Sequence, residues 1–162
     1  MRRRLIVVVT GLLALSLLTA AGHNNGDRNF KADLSGSEEV PTAVVTETTG
    51  KATFHANRDL TELRFKLQID NGVGILAVAG AHIHCGAAGT NGPVAAFLAG
   101  AVPPSGLDGS VDVRTTLTDA SVLPTDCGTT ISELVNAMRA GNTYVNVHSA
   151  ANPGGEIRGQ IG

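Results

Sequence analysis

Within the segment 61–70, apolar and polar side chains alternate without a break from Glu62 to Asp70. Leu63, Phe65, Leu67 and Ile69 share one parity, and Glu62, Arg64, Lys66, Gln68 and Asp70 share the other. Successive side chains of a strand point to opposite faces, so this stretch predicts a β-strand with one buried and one solvated face. The segment 50–57 precedes it across Arg58-Asp59-Leu60, a connection of hairpin length. Further strands are expected at 30–35, 75–84, 93–98, 109–118, 143–148 and 156–161, with Asn71-Gly72 ending the segment 61–70 and Asn152-Pro153-Gly154-Gly155 turning between the last two. One helix is expected: Thr130 and Glu133 fit a capping box, Ile131, Leu134, Val135 and Met138 form one stripe, and Gly141 stops the run. About eight short strands and one short helix predict an all-β fold, an antiparallel Greek-key sandwich or barrel.

The N-terminus predicts export. Arg2, Arg3 and Arg4 precede an apolar run over residues 5–18, and Thr19-Ala20-Ala21-Gly22 supplies small residues for cleavage. The expected organisation is a signal peptide over residues 1–21, a flexible polar tail over 22–29 and one domain over 30–162. The product is then secreted or periplasmic, with no membrane attachment after cleavage. Three of the twelve basic residues lie in the leader and all fourteen acidic ones lie beyond it, so the mature chain carries a charge of about −5. Such a balance gives no electrostatic reason to bind nucleic acid or an anionic membrane. With four Phe, one Tyr and no Trp, stacking platforms for bases or sugars are also missing.

The chemistry-bearing residues gather in Ala81-His82-Ile83-His84-Cys85-Gly86 and in Tyr144-Val145-Asn146-Val147-His148. On strands, His82 and His84 share a face opposite Ile83, and His148 lies opposite Val145 and Val147. All three imidazoles therefore point away from the core, and on neighbouring strands they could converge on the outer face of one sheet. Three imidazoles with an open position suit copper or zinc. The alternative is three separate surface histidines, or residues that pin the glycine-rich turn. Glu156 or Asn146 could hold a ligand histidine in orientation, while Glu156 and Arg158, on one face of the last strand, could instead form a surface ion pair. Cys85 and Cys127 are an even pair in an exported chain, which makes a disulfide the default. The rival role for Cys85, a thiolate ligand beside His84, is opposed by strand parity. The turn between Gly86 and Gly92 lacks the Lys-Ser/Thr of a phosphate loop, and no nucleophile elbow is visible.

Several blocks in order carry a family resemblance: Leu34-Ser35-Gly36-Ser37-Glu38-Glu39-Val40-Pro41, the hairpin after Gly50, Ala81-His82-Ile83-His84, Asn91-Gly92-Pro93-Val94, and Tyr144-Val145-Asn146-Val147-His148 with Asn152-Pro153-Gly154-Gly155-Glu156. Together they resemble the CHRD domain, named from chordin, over residues 30–162. The resemblance implies a secreted or extracytoplasmic β-sandwich and places the family's His-x-His and later His at His82, His84 and His148. It implies little about activity. The His-x-His strand is also distantly similar to the copper strand of copper/zinc superoxide dismutases, but His55, expected to face solvent on another strand, is the only further histidine of the folded region. A two-metal dismutase site cannot be assembled from that set. The leading expectation is a binding protein with one copper or zinc ion on His82, His84 and His148. A metal-free structural or protein-interaction domain, with an extracytoplasmic protein partner, is the main alternative, and a copper-only, dismutase-like redox activity is the second.

Overall fold

The computed structural model describes residues 26–102 and 105–162; the expected signal peptide and the first half of the expected tail lie outside them. The strands are β1 (Asn29–Ser35), β2 (Thr49–Ala56), β3 (Glu62–Ile75), β4 (Ala81–Cys85), β5 (Val94–Ala99), β6 (Leu107–Thr118), β7 (Thr143–Val147) and β8 (Ile157–Gln160), with helix α1 (Ile131–Arg139) before β7. They form one antiparallel sheet in the order β5-β4-β7-β8-β1-β2-β3-β6. The edge strands β5 and β6 approach each other, so the sheet nearly closes into a barrel. This is the all-β architecture expected from the strand pattern. Asn29, read as the end of a tail, opens β1, and the carbonyls of Asp27 and Arg28 accept from Arg139 and from the Ala56 amide.

The alternation in β3 sets the register. Leu63, Phe65, Leu67 and Ile69 are at most 4% exposed, and across β2 the pairs Phe54–Phe65 and Ala52–Leu67 line the same interior. Ile131, Leu134, Val135 and Met138 of α1 join this core. Its cap is reciprocal: Thr130 Oγ1 accepts from the Glu133 amide, while the Glu133 carboxylate accepts from the amides of Thr129 and Thr130. Thr130→Ala removes one half of that box and is expected to cost about 1 kcal/mol, read as a drop of a few degrees in the thermal midpoint by circular dichroism.

One expected strand divides differently. β3 runs on past Asn71-Gly72 to Ile75 through register shifts at Gly72, and residues 76–80 are not strand. Past Ile75 the ladder stops, and Leu76, Val78 and Gly80 all have positive φ. The turn instead bonds to the β7 end, with the Leu76 amide on the His148 carbonyl and the His148 amide on the Gly80 carbonyl. Apolar composition concealed this break.

β4 thus lies between β5 and β7. His82, Asn146 and Arg158 fall in one cross-strand row, and His84, Tyr144 and Gln160 in the next. Ile83 and Val145 point from the same strands into the core. The face carrying the histidines is roofed by the connection from β1 to β2 and by the turn after β4, which are joined where Asn91 Nδ2 donates to the Val40 carbonyl.

Candidate metal centre

Strand parity and the adjacency of β4 and β7 bring His82, His84 and His148 together. Their candidate ligand atoms all lie within 4.8 Å of one another. His82 Nδ1 and His148 Nε2 are 3.1 Å apart. Nitrogens bound to one ion at 2.0–2.1 Å stand roughly 3.3–3.6 Å apart in tetrahedral or trigonal arrangements, so small side-chain adjustments suffice to close the trio. The expected outer face is not solvated: His82 is 5% and His148 6% exposed. Parity gave the side of the sheet, and the covering loops determine whether that side meets water.

Backbone carbonyls orient two of the rings. His84 Nδ1 donates to the Gly92 carbonyl at 2.9 Å, and His148 Nδ1 donates to the Pro153 carbonyl at 3.0 Å. A neutral imidazole has one donor and one acceptor nitrogen, so both rings present an Nε2 lone pair to the centre. His148 Nε2 accepts from His82 Nδ1. His84 Nε2 and His82 Nε2 are buried without a hydrogen-bond partner. Gly92 is required at its position, because a Cβ there would strike the Cys85 carbonyl. The Gly92 amide also donates to the Tyr144 hydroxyl at 3.2 Å.

Burial pushes all three imidazoles toward the neutral form that a metal ligand needs. Desolvation, reinforced by His148 and His84, takes His82 from 6.5 down to about 4. His84 is lowered by burial, with the Gly92 carbonyl opposing and the Arg158 charge adding to the depression. His148 is lowered by burial against the pull of the Pro153 carbonyl. Phe97 meets His82 edge-on at 4.8 Å between ring centroids, and Tyr144 stacks on His84 at 4.9 Å. The Arg158 guanidinium lies 3.5 Å from the Tyr144 ring centroid.

Asn146 and Glu156 do not hydrogen-bond the imidazoles, contrary to the orienting role expected for them. Asn146 Nδ2 donates to Glu39 Oε2 at 3.3 Å. Glu156 accepts from Ser149 and Asn152, bracing the turn that presents the Pro153 carbonyl to His148. Nor does Glu156 pair with Arg158; both are buried, and Arg158 donates to the Asn91 side chain at 2.8 Å and the Thr90 carbonyl at 2.6 Å. Glu156 and Arg158 therefore each support a ligand through a turn.

Glu39 is a residue that sequence reasoning missed. It is 8% exposed, and burial pushes its carboxyl up to about 7 against the opposing effects of Asn146 and Arg158. Its Oε1 and the Asn146 Oδ1 are buried without partners. A glutamate within Ser37-Glu38-Glu39 reads as a loop charge, and nothing in the local pattern marks it as interior. Cys85 is joined to Cys127, with Cα atoms 5.7 Å apart, which removes the thiolate alternative. His55 is exposed on β2 and bonded to Asn29, away from the trio.

The family model described as the CHRD domain matches residues 30–161. No curated protein and no solved structure matches the chain.

Proposed function

The chain belongs to the CHRD domain family, and we propose that it is an exported binding module holding one transition-metal ion, copper or zinc, through His82, His84 and His148. The observation that carries this reading is the orphaned His84 Nε2, buried beside two other imidazoles while the Gly92 carbonyl fixes the opposite nitrogen. A buried acceptor without a partner is costly, and a cation shared with His148 Nε2 and with His82 Nδ1, once the His82 proton has moved from Nδ1 to Nε2, would satisfy it. The ring nitrogens outside the centre are already matched to backbone carbonyls at His84 and His148, a common setting for metal-bound histidine. Export fits the disulfide and the leader-like N-terminus. Membership of the family supports a protein-interaction role for the domain, with which a bound ion is compatible.

Metal analysis of purified wild type, His82→Ala and His148→Ala tests the site. About one equivalent in wild type and less than a tenth of that in the folded variants is expected. Equal, substoichiometric metal in all three proteins would remove the metal reading and leave the interaction domain. Copper bound without superoxide turnover would exclude the dismutase-like reading.

A further inference from the structure

We infer that the ion this centre selects is monovalent copper, in preference to zinc or divalent copper. The inference rests on the metal reading above and adds the charge of the ligand. Imidazole serves copper and zinc alike, so the donor atoms alone do not decide. What decides is how the surroundings treat charge.

Moving an ion out of water carries a cost that grows with the square of its charge, so a divalent cation meets about four times the penalty of a monovalent one of equal size. Protein sites for divalent ions offset that cost with anionic ligands or with carboxylates behind the ligands. Here the three ligands are neutral, and the groups behind His84 and His148 are the carbonyls of Gly92 and Pro153. Among the described residues no carboxylate hydrogen-bonds any of the three rings, whereas the Arg158 guanidinium lies over Tyr144, which stacks on His84.

The Arg158 cation is fixed in place. It is 2% exposed, lies on Tyr144, and is held by Thr90 and Asn91, with no carboxylate of the described residues in salt-bridge contact. Tyr144 in turn stacks within 10° of parallel on His84. Glu39 cancels only part of this charge, because its carboxyl titrates at about 7. The other buried carboxylate among the described residues, Glu156, accepts from Ser149 and Asn152 and hydrogen-bonds none of the three rings.

Coordination number points the same way. Zinc is almost always four-coordinate and would need a further ligand. Monovalent copper is satisfied by three donors, which is what the covered trio offers beneath Phe97 and Tyr144.

Competition titrations test this on the full-length folded protein. Monovalent copper is presented against bicinchoninate under anaerobic ascorbate, and zinc against a chromophoric chelator. Wild type is expected to bind monovalent copper at least about a hundredfold more tightly than zinc. Arg158→Gln should narrow that ratio at least about tenfold, since one full charge acts across the ring stack, while Arg158→Lys keeps the charge and should leave the ratio within about threefold of wild type. Zinc binding as tight as copper in wild type would overturn the inference and leave the metal site standing. An unchanged ratio in a folded Arg158→Gln protein would also overturn it. Failure of wild type to bind either ion would overturn the metal reading itself. Should Arg158→Gln not fold, the wild-type ratio and the Arg158→Lys protein still decide.

Discussion

Replacing Cys85 and Cys127 together by serine lowers the thermal midpoint by on the order of 10–15 °C. The bridge joins positions 42 residues apart, and the chain-entropy estimate for a loop of that size is about 4 kcal/mol at 25 °C. Spread over the unfolding entropy of a domain of roughly 130 residues, that loss corresponds to the stated shift. The native state should tolerate the change locally, since Cys127 is a small buried residue whose amide is held by Thr125 and whose neighbouring turn closes between Thr125 and Gly128. Calorimetry of the double variant beside wild type, with and without reductant, measures the effect. A fall of less than about 3 °C would show that the reduced chain already confines the same loop.

Acidification from pH 7 to pH 5 weakens the metal-free fold. The signs of the buried groups oppose one another. In the unfolded chain a histidine binds its proton near 6.5, whereas the folded environment depresses all three, His82 to about 4. The unfolded state then binds more protons, so the stability due to neutral imidazoles is complete above 6.5 and is lost as the pH falls. Glu39 works in the other direction: its folded carboxyl holds a proton up to about 7 rather than 4.5, so its contribution strengthens on acidification. Three imidazoles outweigh one carboxyl, and each net proton taken up on unfolding contributes a slope of about 1.4 kcal/mol per pH unit. Urea midpoints at pH 7 and pH 5 read the balance, and Glu39→Gln, which removes the opposing group, should steepen it. A wild-type midpoint that is equal or higher at pH 5 would contradict neutral burial of the trio.

The sheet was legible wherever one face of a strand is wet. In β2, β3 and β6 solvent imposes alternation, and Leu63, Phe65, Leu67 and Ile69 could be assigned to the interior by counting. The helix announced itself through Thr130 and Glu133 because a cap is a local device. The same counting placed His82, His84 and His148 on one side of two strands and turned Cys85 toward Cys127. It failed where both faces are buried. Every residue of β7 is interior, so polarity there no longer reports on water. Asn146, Glu156 and Arg158 were read as residues of an outer face and proved to be buried polar groups. The partners of the histidines were beyond reach for another reason: the carbonyls of Gly92 and Pro153 are backbone atoms, which carry no side-chain signature. Glu39 was hidden because its burial depends on a connection whose path no local pattern specifies.

Strand β8 sits between β7 and β1, and Arg158 on it, with Glu156 just before it, braces both turns that orient the histidines. Two ligands precede these braces by more than seventy residues in the chain. A chain threaded in order would expose His82 and His84 well before anything could aim them. The bracing of the centre is therefore complete only with the last strand of the sheet in its gap. Ion capture of the kind proposed would serve as a readout of completed folding.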